Sequence, residues 1–166
     1  MNTNTTPNRR RFGAVAAALL AAPWVGAQAQ ASAPPLQMDV WKDPNCGCCG
    51  DWVRIMQKEG FTVRVHDVGN AGARRRLKVP VELGSCHTVQ VGPYALEGHV
   101  PAREIRRLLR ERPDAIGLTV PGMPVGSPGM DGPEYGDRRD PYDVLLIRRD
   151  GSTVVYASYF KDGKKG

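Results

Sequence analysis

The sequence has 166 residues, a length that is typical of a single domain. Its formal net charge is +6, but three of its 23 basic residues lie together at 9–11, and without them 20 remain against 17 acidic residues. The resulting charge of +3 removes the compositional argument for a nucleic-acid-binding protein. The arginine clusters at 74–76 and 106–107 are typical of solvated helix faces.

Residues 1–31 are predicted to be an export signal that is removed. Basic residues precede a short apolar run at 14–22, and small-x-small cleavage sites follow at 27–29 and 29–31. The paired arginines before Phe12 resemble a twin-arginine signal. A membrane anchor is a weaker interpretation, because the run is far shorter than the roughly 20 residues that span a bilayer. We therefore expect one mature domain at 32–160 without a membrane span, followed by a frayed tail at 161–166.

The first half of the mature chain alternates between strand and helix patterns. Residues 36–41 are predicted to form a strand, and residues 48–59 a helix that ends before Gly60. Residues 61–68 alternate with period two and indicate a second strand. A short basic helix is expected at 71–77.

Two more strands are expected in the second half of the chain, one ending at Val91 and one at 94–96, followed by a helix between Pro101 and Pro113. Residues 113–141 contain six glycines and six prolines and show no strand or helix period, which predicts a long loop that is either disordered or functional. A β-hairpin is expected after it, from apolar runs at 144–147 and 153–156.

This order of elements predicts an α/β fold that resembles thioredoxin, a β-α-β…β-β-α domain with a long Gly/Pro/Met loop and an added C-terminal hairpin. In that fold a second loop faces the redox cysteines, and here it corresponds to Ser85-Cys86-His87-Thr88. Cys86 or His87 then stands where thioredoxins have a cis-proline. The resemblance implies that Cys86 contacts the cysteines near residue 48.

The chemistry of the chain is concentrated in Cys46-Gly47-Cys48-Cys49, at the predicted start of the first helix. Unpaired backbone N–H groups and the helix dipole favour thiolates there. The C-x-x-C spacing of Cys46 and Cys49 predicts disulfide exchange with these two as catalytic residues. Two structural disulfides are the alternative in an exported chain, but a bridge inside the cluster would close almost no loop.

Cys48 is an extra thiol that would compete within a redox pair, and it favours several sulfurs converging on soft metal ions. Zinc fits adjacent cysteines poorly, and an iron–sulfur cluster lacks a recognisable ligand spacing. A polynuclear Cu(I) cluster relaxes the geometry because one thiolate can bridge two metals.

Residues outside the cluster supply further candidate ligands. Met123 and Met130 lie in a repeated Pro-Gly-Met tripeptide and are either Cu(I) ligands or packing residues. His87 either binds copper or points away along its strand. His99 is interpreted as structural, with the alternative that it faces the loop, and His66 is interpreted as a surface residue.

The chain is also similar to the CopG-like family of periplasmic copper-resistance proteins. The similarity runs from residue 36 to 156 and is carried by several motifs, namely Val40-Trp41-Lys42, Cys46-Gly47-Cys48-Cys49, Val79-Pro80, Ser85-Cys86-His87-Thr88, Glu97-Gly98-His99-Val100-Pro101 and the two Pro-Gly-Met tripeptides. The resemblance implies copper binding at Cys46, Cys48, Cys49 and Cys86 with participation of Met123 and Met130, a redox role in copper handling, and a periplasmic location.

We therefore expect an exported redox protein that holds Cu(I) in a thiolate cluster and takes part in copper resistance. Its expected partners are copper ions and other periplasmic copper-handling proteins, with no nucleic acid. A thiol–disulfide oxidoreductase and a copper chaperone without electron transfer remain alternatives.

Overall fold

The computed structural model describes residues 1–3 and 36–161, and all of its helices and strands lie in the second range. The predicted export signal therefore lies outside the described residues except for positions 1–3, and so do residues 162–166 of the predicted tail. Within the described ranges, no helix combines the length and the apolarity that crossing a bilayer requires.

The structure is a mixed α/β fold with one seven-stranded sheet and three α-helices. The elements in chain order are β1 (Gln37–Lys42), α1 (Gly47–Lys58), β2 (Thr62–His66), α2 (Ala71–Arg76), β3 (His87–Val91), β4 (Tyr94–Glu97), α3 (Ala102–Glu111), β5 (Ala115–Thr119), β6 (Tyr142–Arg148) and β7 (Thr153–Tyr159). Short 3-10 turns lie at Val81–Leu83 and Pro133–Tyr135. Each helix and strand that the sequence predicts is present, with ends that differ by at most three residues.

The strand order in the sheet is β2-β1-β3-β4-β5-β6-β7. The pairs β1–β2 and β4–β5 are parallel, because helices α1 and α3 connect them, and the other four pairs are antiparallel. Strand β3 pairs with β1 on one side and with β4 on the other. This order places the start of β3 beside the end of β1, where the cysteine-rich turn begins.

The prediction that residues 113–141 contain no strand is wrong, because β5 lies inside that range. Every residue of β5 is buried, so its sequence lacks the alternation by which a half-exposed strand is recognised. Gly117, in the middle of the strand, also weakens the pattern. The C-terminal hairpin is joined to the rest of the sheet through β5, since β6 pairs directly with it.

The sheet is covered on both faces at its centre. The larger apolar cluster contains Trp52 and Met56 of α1 and Ile105 and Leu108 of α3, packed with strand residues such as Leu96. In a smaller apolar cluster, the segment that follows α2 packs on strand residues. Its members are Leu77, Val79 and Leu83 of that segment and Ala95, Ile116 and Ile147 of the sheet. Every residue of β4 and β5 is buried, so these two strands form the covered centre of the sheet.

Gly117→Ala is expected to lower the free energy of unfolding by at least about 2 kcal/mol, since a Cβ there would lie 1.7 Å from the carbonyl oxygen of Ala95. Urea denaturation measures this change. Gly72→Ala is the matched control, because Gly72 has open space around its Cβ position on α2. That variant is expected to gain ~0.5–1 kcal/mol, and equal effects at the two sites would contradict the interpretation.

Candidate metal centre

The three clustered cysteines lie at the start of α1. The turn before the helix is fixed by Asp43, whose side-chain Oδ1 accepts from the N–H of Asn45 at 2.8 Å and whose carbonyl accepts from the N–H of Cys46 at 3.1 Å. Cys46 occupies the position before the helix, and Cys48 and Cys49 lie in its first turn. All three sulfurs therefore emerge at the positive end of the helix dipole.

Cys46 and Cys49 form a disulfide, with their Cα atoms 5.4 Å apart. Cys48 and Cys86 are free thiols, so the four cysteines do not form two disulfides. The sulfur of Cys48 lies 3.6 Å from that of Cys46. The C-x-x-C pair is thus oxidised beside two reduced thiols.

Cys86 lies in the loop that enters β3, and it joins the three other cysteines. Ligand atoms of Cys46, Cys48, Cys49 and Cys86 all lie within 4.8 Å of one another. Burial, and after it the neighbouring Cys48, raises the pKa of Cys86 to about 12. This thiol is therefore protonated at neutral pH, and a soft cation that binds it must displace the proton.

Two histidines face Cys86 from the interior of the protein. His87 Nδ1 lies 3.3 Å and His99 Nε2 lies 3.1 Å from the sulfur of Cys86. Burial lowers the pKa of both imidazoles, which keeps them neutral and able to act as ligands. His87 Nε2 is buried without a hydrogen-bond partner among the described residues.

The orientation of His99 is that of a metal ligand. Its Nδ1–H donates to the carbonyl oxygen of Pro128 at 2.8 Å, so the lone pair of Nε2 faces Cys86. The sequence left open that His99 is structural or faces the loop, and its contact with Cys86 was not predicted. The hairpin register contains the signal, because Thr88 pairs with Glu97 and counting two residues outward from that pair places residue 99 opposite residue 86.

A buried ion pair fixes the loop that carries Cys86. Glu97 is fully buried, and its Oε1 accepts from Arg74 Nε at 3.0 Å and from the N–H of Ser85 at 2.7 Å. Arg74 Nη2 also donates to the carbonyl oxygen of Ser85 at 2.6 Å, and Thr88 Oγ1 donates to Glu97 Oε2 at 2.6 Å. Burial raises the pKa of Glu97, and these donors act against that rise.

The two predicted methionine ligands occupy different surroundings. Met123 is 51% exposed, and its sulfur lies 3.9 Å from the sulfur of Cys48. The sulfur of Met130 instead accepts from the hydroxyl group of Tyr135 at 3.5 Å. No hydrogen bond joins Met130 to a cysteine within the part of the chain that the structure describes. His66 lies apart from the centre, where it stacks on Trp41.

The loop between β5 and β6 is ordered against the cysteines. Gly129 packs its backbone on the first turns of α1, where a Cβ would lie 2.7 Å from the carbonyl oxygen of Cys48 and 2.8 Å from the N–H nitrogen of Trp52. A second contact is the hydrogen bond from Ser85 Oγ to the carbonyl oxygen of Gly122 at 2.6 Å. The loop therefore covers the cluster and carries Met123 to its edge.

The donors brought together suit a soft metal ion. Four cysteine sulfurs, the thioether of Met123 and the neutral imidazole of His99 converge at one end of α1. Thiolates and thioethers select Cu(I) over hard cations, and imidazole is also a copper ligand. The disulfide must be reduced before all four sulfurs can bind metal.

Gly129→Ala is expected to detach the loop from α1 and to expose Cys48, which speeds alkylation of that thiol by iodoacetamide several-fold. Gly136→Ala in the same loop is the matched control, since Gly136 also has a positive φ but nothing within 4 Å of its Cβ position. Mass spectrometry of the alkylated peptide measures the two rates. Equal rates in the two variants would mean that the contact at Gly129 does not hold the loop.

Comparisons with known proteins found one matching family model and two similar solved structures. A family model described as "Protein of unknown function, DUF411" matches residues 83–130, the segment that contains Cys86, His99 and both loop methionines. A search of curated proteins found no match. Two solved structures described as "Copper resistance protein copG", Form 2 and Form 1, are 46% and 48% identical to this chain with TM-scores of 0.70. Each alignment covers 76% of this chain, and 99% and 98% of the respective relative.

Proposed function

This chain belongs to the CopG family of copper resistance proteins, and from that premise we propose that it holds Cu(I) in a thiolate cluster and takes part in copper resistance. The observation that carries the proposal is the convergence of the four cysteine ligand atoms within 4.8 Å, with a methionine and a histidine beside them. The family and the cysteine/histidine cluster support a copper-related role, and the donor set supports Cu(I).

The proposed cluster is polynuclear. Cys48 and Cys49 are adjacent, so a single ion would have difficulty reaching both sulfurs in a regular geometry. Bridging thiolates remove this difficulty, because neighbouring sulfurs then serve different ions. In this proposal Cys46, Cys48, Cys49 and Cys86 are the bridging ligands after reduction, and His87 and His99 supply nitrogen donors next to Cys86.

The disulfide supports a redox role for the same residues. In one direction, the thiols of Cys46 and Cys49 release two protons and two electrons as the S–S bond forms, and two Cu(II) ions each accept one electron to become Cu(I). In the other direction, two Cu(I) ions return these electrons, the S–S bond breaks and the sulfurs take up two protons. The atoms and charges balance with copper and the two cysteines alone.

A thiol–disulfide oxidoreductase is the second candidate function. It is favoured by the disulfide across Cys46-x-x-Cys49 at the start of a helix. A metal-free chain that reduces insulin disulfides at the same rate with and without Met123 would favour this function. A third candidate is a copper chaperone, in which the metal passes to a partner without a change in oxidation state.

We further propose a thioredoxin-like arrangement for the domain at 32–160. The parallel unit β1-α1-β2 followed by the antiparallel pair β3–β4 and helix α3 supports it. Removal of residues 1–31 as a twin-arginine-type signal, a periplasmic location and contact with other copper-handling proteins there remain predictions of the sequence.

The reduced chain is expected to take up more than one Cu(I) per molecule in an anaerobic titration against bicinchoninate. X-ray absorption of the loaded chain is expected to show sulfur ligands and a short copper–copper distance, because shared thiolates hold neighbouring ions together. The variant Cys86→Ser is expected to bind fewer ions and to lose the copper–copper feature.

The control for this titration is Ser152→Ala, in the β6–β7 turn outside the centre, which is expected to bind copper as the native chain does. A reduced native chain that takes up no Cu(I) against this competitor would refute the proposed function. A Cys86→Ser variant with unchanged stoichiometry and spectrum would remove Cys86 from the ligand set.

Met123→Leu is expected to weaken Cu(I) binding about tenfold, equivalent to ~1.4 kcal/mol, because it removes the thioether next to Cys48 while keeping the volume of the side chain. Met130→Leu is the matched control and is expected to leave affinity nearly unchanged, since Met130 contacts Tyr135. Competition with bicinchoninate measures both. A larger loss for Met130→Leu would reverse the assignment of the two methionines.

A further inference from the structure

The disulfide divides the four cysteines into two pairs of different chemistry. The sulfurs of Cys46 and Cys49 are bonded to each other and cannot act as thiolate ligands. Cys48 and Cys86 keep their thiols, and their ligand atoms lie within 4.8 Å of each other. The oxidised chain therefore still presents two sulfurs at the centre.

Each remaining thiol has its own neutral donor beside it. The thioether of Met123 lies 3.9 Å from the sulfur of Cys48, and Nε2 of His99 lies 3.1 Å from the sulfur of Cys86. The carbonyl of Pro128 holds the imidazole in the orientation that directs Nε2 at the sulfur. Two thiolates, a thioether and an imidazole form a complete ligand set for one soft ion.

These four donors come from four separate parts of the fold. Cys48 is in the first turn of α1, Cys86 precedes β3, His99 lies between β4 and α3, and Met123 is in the loop after β5. The disulfide sulfurs contact this set at two places, since Cys46 Sγ lies 3.6 Å from Cys48 Sγ and Cys49 Sγ lies 3.6 Å from the carbonyl oxygen of Cys86. The hydrogen bonds that hold the Cys86 loop, His99 and the Met123 segment are made instead by Arg74, Glu97, the carbonyl of Pro128 and the hydroxyl group of Ser85. Forming or breaking the disulfide therefore leaves these hydrogen bonds in place.

We propose that the disulfide form of the chain is itself a copper-binding state, holding one Cu(I) ion between Cys48, Cys86, Met123 and His99. This inference rests on the proposed function and adds to it that the number of bound copper ions is regulated. A small dithiol reductant breaks the Cys46–Cys49 bond by thiol–disulfide exchange: the two cysteines gain two electrons and two protons, the dithiol is oxidised to its own disulfide, and the two bridging sulfurs that further ions need become available. The redox state of this pair then sets the copper capacity of the chain between one ion and several, without emptying the centre.

The test compares three forms of the full chain under anaerobic conditions. These are the disulfide form, with its bond and two free thiols verified by mass spectrometry before and after loading, the reduced form, and the double variant Cys46→Ser/Cys49→Ser. Each is titrated with Cu(I) acetonitrile against bicinchoninate and then measured by X-ray absorption.

The disulfide form and the double variant are both expected to bind one Cu(I) per chain. Their spectra are expected to show sulfur ligands with a nitrogen contribution and no copper–copper feature, whereas the reduced chain binds more than one. In the disulfide form, Cys48→Ser is expected to abolish binding, and His99→Gln is expected to weaken it and to remove the nitrogen contribution. The matched control is His66→Gln, which changes a histidine that stacks on Trp41 outside the centre.

The outcomes separate this inference from the proposed function. If the reduced chain loads copper while the disulfide form and the double variant take up none, the one-ion site is refuted and the thiolate cluster stands. More than one ion, or a copper–copper feature, in the double variant also refutes it. If no form takes up Cu(I), the proposed function fails as well.

Discussion

The candidate metal centre depends on the buried ion pair of Arg74 and Glu97. The carboxylate of Glu97 accepts a hydrogen bond from the N–H of Ser85, and Arg74 donates one to the carbonyl oxygen of Ser85. Both backbone groups of Ser85, the residue before Cys86, are therefore fixed. A carboxylate in this fully buried position is tolerated only because its donors replace the hydration that it loses, and loss of either partner would leave an uncompensated buried charge. A remote ion pair, rather than the sequence around Cys86, therefore delivers the fourth sulfur to the first three.

Local patterns in the sequence were sufficient for most of the fold and for half of the site. The alternation in β2, the apolar stripe of α1 and the C-terminal hairpin each follow from a period that a few residues define. The sulfurs of Cys46, Cys48 and Cys49 are neighbours in the chain, and their proximity needs no tertiary structure. Strand β5 was missed because burial on both faces removes its alternation, and His99 was missed because only the β3–β4 register brings it opposite Cys86.

The different surroundings of the two Pro-Gly-Met tripeptides could not be predicted from the sequence. The two tripeptides contain the same residues, so the Pro-Gly-Met motif itself does not distinguish Met123 from Met130. The structure separates them through long-range contacts, since Gly129 packs closely against the backbone of α1 whereas Gly122 has open space at its Cβ position. The tripeptide that contains Gly129 thus anchors the loop on α1, and the tripeptide that contains Gly122 places Met123 at the edge of the cysteine cluster.

Under the proposed function, the spacing of the cysteines also governs how Cu(I) binding couples to folding. The Cys46-x-Cys48-Cys49 triplet stays intact when the chain unfolds, so an unfolded, reduced molecule keeps three closely spaced sulfurs and much of its attraction for Cu(I). A ligand stabilises a fold only by the difference between its affinities for the native and unfolded states. In the proposed site that difference comes from Cys86, His99 and Met123, which the sheet and its loops bring to the triplet. Cu(I) is therefore expected to stabilise the fold by less than its total free energy of binding.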